Sequence, residues 1–184
     1  MKLVIVDLDG TLFDTKNVNY MAYKEALEQF GYTLDYSYFC EYCNGRHYLD
    51  FLPAITTSNS EVLSDMHMYK KNVYKKYLKY AKMNVHLINI LKSMKEEYKL
   101  ALVTTASKEN CNEILTEFNV LSLFDLVLTR EDVEKSKPNP EGFNKAMKIF
   151  GSDISETIIF EDSEVGLEAA KRTGAFYYKT YGFN

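Results

Sequence analysis

The stretch Leu3-Val4-Ile5-Val6-Asp7-Leu8-Asp9-Gly10-Thr11 decides how this chain folds. Its apolar part, rich in Val and Ile, reads as a strand buried on both faces. In open α/β sheets, ligands gather beyond the carboxyl ends of such strands, and the polar cluster begins there. Asp7 and Asp9 are two apart, so if the pleat persists their carboxylates leave one face and converge. There they repel unless a proton or a cation intervenes, and a divalent metal is the natural remedy. Gly10 permits an immediate turn away from the sheet, and Thr11 supplies a hydroxyl that can fix the loop by bonding nearby backbone. Taken alone, the same residues also fit an ordinary strand-to-loop boundary carrying two solvated aspartates.

Outward from this stretch, apolar strands alternate with amphipathic helical segments. The pattern predicts a helix from Asn84 to Tyr98, a strand at Leu100, a helix over Lys108 to Asn119, a strand at Leu126, a helix over Glu141 to Phe150, a strand at Ile158, a helix from Glu164 stopped by Gly174, and a last strand over Ala175 to Lys179. That is a doubly wound, Rossmann-like parallel sheet. Residues 16–82 lack the strand rhythm and read as helices, clearest around Val18 to Phe30 and Ser60 to Lys82. The expected organisation is therefore an α/β core of residues 1–15 and 83–184 with an inserted all-helical cap domain of residues 16–82.

Three further motifs follow in order. Leu100-Ala101-Leu102-Val103 ends in Thr104-Thr105; Lys137-Pro138-Asn139-Pro140 precedes a helix; Thr157-Ile158-Ile159-Phe160 ends in Glu161-Asp162. Together with Asp7-Leu8-Asp9-Gly10-Thr11 they resemble the four motifs of the haloacid dehalogenase-like hydrolase superfamily, and the helical insertion resembles its C1 cap. The resemblance covers the chain except about Asn17 to Met83, where only the general layout matches.

The resemblance implies a Mg²⁺-dependent phosphomonoester hydrolase. Asp7 would be the nucleophile that forms an aspartyl-phosphate. Asp9 would act as general acid and then base, and its presence sets the chain apart from the true dehalogenases, which lack this second Asp. Asp7, Asp162 and Glu161, with the backbone carbonyl of Asp9, would hold the metal; hard oxygen donors suit Mg²⁺. Glu161 could ligate directly or through water. The phosphate would meet Asp7, Leu8, Asp9, Thr104, Thr105 and Lys137. Lys137 supplies fixed positive charge, and Pro138 restricts it to extended backbone. Thr104 or Thr105 provides the second motif's hydroxyl, counting favouring Thr104, beside the amides opening the helix at Lys108. Ser107 reads as that helix's N-cap, and Asn139 as the N-cap of the next, with Pro140 at its first position.

Substrate choice would lie in the cap. Its candidates are Asn17 and Tyr20 in the first cap helix and Asn44, Arg46 and His47 around Gly45, where the Arg46 guanidinium could take a second anionic group or simply be solvated. Two other readings stand beside the phosphatase: a phosphosugar mutase resembling β-phosphoglucomutase, suggested by Glu161-Asp162-Ser163 and Ala106-Ser107-Lys108, and a non-catalytic binding protein on the same fold.

Composition fits a soluble globular enzyme, and the resemblance implies a small phosphate ester as its partner. The 184 residues are 46% hydrophobic with a net charge of −4, enough for one core and an insertion. Six lysines and no acid lie between Met66 and Lys82, yet lysines opposite a stripe of Tyr69, Val73, Tyr77 and Tyr80 are expected to be the solvated face of a packed helix, so no nucleic acid is expected. No membrane span is expected either, and a monomer is favoured. Cys40-x-x-Cys43 with His47 has zinc-like spacing but no evident fourth ligand; burial of the cysteines on one helix face is the simpler reading. An odd cysteine count gives no disulfide framework and suits the cytoplasm.

Overall fold

The structure, a computed structural model, describes residues 1–56, 59–181 and 183. The chain forms two compact units, one of residues 1–14 and 82–184, the other of residues 15–81.

The first unit is built on strands β1 (Leu3–Val6), β4 (Lys99–Val103), β5 (Leu126–Leu128), β6 (Thr157–Glu161) and β7 (Phe176–Lys179), all parallel in the order β5-β4-β1-β6-β7. β1 has strands on both sides and helix-covered faces, which is why its four residues are apolar without alternation and wholly buried. The chain runs from β1 outward to β4 and β5, then returns across β1 to β6. The switch point falls between β1 and β6, where α/β sheets bind ligands.

Helices α5 (Val85–Met94), α6 (Lys108–Glu117), α7 (Glu141–Phe150) and α8 (Glu164–Thr173) flank the sheet. One face, carrying Leu3, Ile5, Ala101, Val103 and Ile159, packs against Phe143, Ala146 and Met147 of α7 and Ala169 and Ala170 of α8. Right-handed crossovers leave the face of Val4 and Val6 to α5 and α6, which bury Leu87, Ile88, Leu91, Cys111, Ile114 and Leu115. A two-stranded antiparallel ribbon, β2 (Phe13–Asp14) with β3 (Lys82–Met83), brackets the insertion. Asn84 secures it: its backbone N–H donates to Leu12 O (2.8 Å), while its side chain caps α5 by accepting from Leu87 N–H (3.1 Å).

The second unit is helical: α1 (Lys16–Gln29), a short α2 (Tyr36–Tyr38) continued by a π-turn over Phe39–Cys43, α3 (Tyr48–Ile55), and α4 (Ser60–Tyr74) tightening into a 3₁₀ segment over Lys75–Tyr80. Its core joins Tyr23 and Leu27 of α1 to Phe39, Cys43, Phe51, Leu52, Leu63 and Met66. Among the described residues no helix is long and apolar enough to cross a membrane.

Two local expectations change. The α-helix from Ser60 gives way at Tyr74 to the 3₁₀ segment that ends at Tyr80, short of Lys82, which is held in the ribbon opposite Asp14, a pairing with no local sequence signal. The buried stripe of α4 is Leu63, Met66, Lys70 and Tyr74, while Tyr80 is exposed. Lys70 is therefore on the packed side: its Nζ donates to Asn19 Oδ1 (2.7 Å) and lies 4.5 Å from the Tyr74 ring centroid and 5.1 Å from that of Tyr23.

Phe143 of α7 packs against the sheet and is 1% exposed. Phe143→Ala should cost about 3–5 kcal/mol of stability, read as a lowered midpoint in urea; a change within about 0.5 kcal/mol, the range of ordinary surface positions, would show that this face is not the core.

Candidate active site

Three parallel strands deliver the site to one edge of the sheet. Asp7 follows β1 directly, and its N–H donates to Phe160 O (3.0 Å), continuing the β1–β6 ladder by one step. Glu161 ends β6 and Asp162 follows it. Thr104 follows β4, its N–H donating to Leu128 O (2.9 Å). Lys137 arrives from the loop between β5 and α7, in a turn with a cis Lys137–Pro138 bond.

Lys137 is the hub. Its Nζ donates to Asp7 Oδ1 (2.6 Å), Glu161 Oε1 (2.6 Å) and Val103 O (3.1 Å), so all three ammonium protons are spent. It also lies 5.0 Å from the centroid of the Phe143 ring. Side-chain exposures of 7% for Lys137, 9% for Asp7 and 1% for Glu161 make this a dry ion cluster, not a surface pair, and charges that deep persist only when paired and hydrogen-bonded.

The cluster is unbalanced. Burial pushes the Asp7 carboxyl up to about 8, and the Glu161 and Asp9 charges push the same way against the pull of Lys137. Burial works against the Lys137 ammonium, yet Asp7 and Glu161 outweigh it and hold Lys137 above its ordinary value. Burial also raises Asp162, opposed by a hydrogen bond from Thr11. Asp7, Glu161 and Asp162 each bring one carboxylate oxygen within 4.8 Å of the others, the one such group of potential metal ligands among the described residues. Hard oxygens with surplus negative charge fit a divalent cation of the Mg²⁺ type. The Asp9 carboxylate is not one of the three.

The loops around the cluster are fixed by it. Thr11 Oγ1 donates to Asp162 Oδ1 (2.8 Å), so its partner is a carboxylate from the far end of the chain and not nearby backbone, as its place in the loop suggests. Gly10 has φ +89°, and a Cβ there would lie 2.1 Å from Asp162 Oδ2; only glycine meets both demands. Glu161 Oε2 accepts from Asp162 N–H (2.8 Å), Ser163 N–H (2.9 Å) and Ser163 Oγ (3.0 Å). The pairing of Glu161 with Lys137 and the part of Ser163 carry no signal in the sequence, which shows only an acidic pair after a strand.

Thr104 is buried and Thr105 exposed, and both line a pocket with Ser136 and Lys137. Thr104 Oγ1 accepts from Ala106 N–H (3.0 Å), leaving its own proton to donate. Ser107 caps α6 by accepting from Asn110 N–H (3.3 Å), while Lys108 N–H already donates to Glu131 Oε2 (3.0 Å). Asn139 sits one residue before the expected position: Pro140 is the N-cap of α7, and Asn139 Oδ1 accepts from Glu141 N–H (3.0 Å). Leu8 is buried, and Asp9 bridges to Phe13.

In the helical unit, Asn17 accepts from Tyr36 Oη (3.0 Å), and Tyr20 Oη donates to Leu34 O (3.3 Å) while packing on Tyr36 and Phe39. Asn44, Arg46 and His47 are exposed, with His47 Nδ1 capping α3 at Leu49 N–H (3.4 Å). Cys40 and Cys43 are free thiols on the π-turn, and burial raises Cys43.

A model of the haloacid dehalogenase-like hydrolase family matches residues 4–178. A phosphorylated carbohydrates phosphatase of Thermotoga maritima is 30% identical to this chain over 179 residues, 95% of this chain and 82% of the relative. A validoxylamine A 7'-phosphate phosphatase of Streptomyces hygroscopicus subsp. limoneus is 28% identical over 186 residues, 95% and 83% of the two chains. Among solved structures, CbbY of Rhodobacter sphaeroides in complex with phosphate shares the fold with a TM-score of 0.85 at 20% identity, covering all of this chain and 87% of that one.

Asp7 ionises near 3.8 when unfolded and near 8 when folded. Between those values the unfolded chain has released a proton that the folded chain retains, so stability falls as pH rises through that window, and a cation that binds ionised Asp7 restores it. The melting temperature without divalent metal should drop from about pH 5 to about pH 8, and saturating Mg²⁺ should raise it more at the higher pH; Asp7→Asn should flatten both responses. A Mg²⁺ response independent of pH would contradict this charge balance.

Proposed function

The chain belongs to the haloacid dehalogenase-like hydrolase family and is a phosphatase; from that premise we propose that it hydrolyses a small phosphorylated metabolite, with Mg²⁺, through an aspartyl-phosphate on Asp7. The observation that carries this reading is the Asp7–Lys137 contact of 2.6 Å in a nearly dry setting, with a second aspartate two residues on.

In the first step an Asp7 carboxylate oxygen attacks phosphorus in line with the ester oxygen. The phosphorus–ester oxygen bond breaks, and Asp9 gives its proton to the departing alkoxide. In the second step Asp9, now ionised, takes a proton from water as the water oxygen attacks phosphorus, which releases inorganic phosphate and regenerates Asp7. Lys137 holds Asp7 in place and stands ready for the charge on the phosphoryl oxygens. Thr104, whose proton is uncommitted by its bond from Ala106, is suited to donate to one of those oxygens. Asp7 and Asp162, with Glu161 beside them, would hold Mg²⁺, which neutralises phosphoryl charge when bound.

Specificity is assigned to the helical unit. Asn17 and Tyr20 are engaged with their own neighbours and His47 caps α3, so the exposed Asn44 and Arg46 are the stronger of the candidates for a substrate contact. A guanidinium at Arg46 suits a second anionic group. The three free thiols are consistent with the cytoplasmic location that goes with this reading.

Phosphate release from a panel of sugar phosphates, nucleotides and phosphoglycolate, with Mg²⁺ and with EDTA, tests the proposal. Activity on one or a few compounds should require Mg²⁺ and fall about a thousandfold or more in Asp7→Asn, and about 10²–10⁴-fold in Asp9→Asn. Full turnover by Asp7→Asn would remove Asp7 from the chemistry.

A further inference from the structure

Glu161 is held with unusual completeness. One oxygen receives Lys137 Nζ, and the other receives two backbone N–H groups and the Ser163 hydroxyl. The carboxylate is 1% exposed, so it has no solvent to retreat into. On the side away from Lys137 it meets the first turn of α8, where Ser163 is the N-cap: the same Oγ that donates to Glu161 Oε2 accepts from Gly166 N–H (3.1 Å).

Gly166 faces that carboxylate with nothing between. A Cβ at residue 166 would lie 1.8 Å from Glu161 Oε1, 1.9 Å from Cδ and 2.3 Å from Oε2. Glycine is a poor helix former, and Gly166 is the third residue of α8, in its first turn and not past its C-terminal end, where helices favour glycine. The residue therefore serves the carboxylate and not the helix.

We propose that Gly166, acting with Ser163, is a positioning residue: by leaving room against α8 it lets Glu161 sit squarely between Ser163 and Lys137, and so holds the Lys137 ammonium on Asp7. A methyl group at 166 would force the Glu161 carboxylate away from its donors. A carboxylate displaced in this way lengthens its contacts to Ser163, to Lys137 or to both. The catalytic consequence rests on the phosphatase reading; the structural one does not.

Gly166→Ala and the double variant Glu161→Asp/Gly166→Ala, in which the shortened carboxylate makes room for the new methyl, test this in two ways. The first readout is the pair of backbone amide resonances of Asp162 and Ser163, whose protons donate to Glu161 Oε2. They should move upfield in Gly166→Ala and return part of the way in the double variant. The second is turnover on whichever ester the wild type cleaves: kcat should fall at least about tenfold in Gly166→Ala, with KM nearly unchanged, and Glu161→Asp should cost less in the Gly166→Ala background than in the wild type. If Gly166→Ala does not fold, Ser163→Ala removes a donor without adding bulk and should shift the same two amides and lower kcat. Unmoved amides, or wild-type kcat with an additive double variant, overturn the proposal. Shifted amides in a protein that cleaves no phosphate ester would instead leave the clamp standing and refute the phosphatase reading.

Discussion

One ammonium shared by two buried carboxylates governs this molecule. Lys137 reaches across 130 residues of sequence to Asp7 and across 24 to Glu161, tying the loop after β5 to the ends of β1 and β6. Charges in so dry a place are costly unless every proton and lone pair is engaged, and here the surrounding loops engage them: Val103 O takes the third ammonium proton, Ser163 and two amides hold Glu161, and Thr11 holds Asp162. The β1–β6 switch point is where the sheet topology makes room for such a cluster. Packing and chemistry thus meet in one set of contacts.

The cluster carries more negative charge than Lys137 neutralises, and that imbalance links structure to function. Burial and the neighbouring carboxylates raise the Asp7 carboxyl to about 8, whereas the nucleophilic role proposed for it needs the ionised form. Positive charge from the divalent cation proposed above would offset that surplus and favour the ionised form of Asp7.

Much of the fold was legible in the sequence, because its cause is local. Leu3 to Val6, Leu100 to Val103 and Ile158 to Phe160 are apolar for the plain reason that they are central strands, and alternation with helical periodicity gives the doubly wound order. The residues at the strand ends were legible too, since Asp7, Thr104, Lys137 and Asp162 sit in short recognisable motifs. What was not legible depends on contacts between distant parts of the chain. Lys70 reads as a solvated lysine until α1 brings Asn19 and Tyr23 against it; Lys82 reads as a helix end until Asp14 pairs with it; Thr11 reads as a loop hydroxyl until Asp162 arrives. Gly166 looks like a weak spot in a helix until Glu161 is seen against it. The helical unit is the least legible part, because Asn17, Tyr20 and His47 bond to Tyr36, Leu34 and Leu49, contacts that no local pattern announces.

The claim on which the rest turns is that Asp7 accepts the phosphoryl group. Rapid mixing of enzyme with substrate, followed by quenching into borohydride and peptide mass spectrometry, tests it directly, because borohydride reduces an acyl phosphate to the alcohol. Conversion of Asp7, and of no other acid, to homoserine in a substrate-dependent manner is the result predicted here. Turnover with Asp7 left unreduced, or reduction at Asp9, Glu161 or Asp162 in its place, would contradict it.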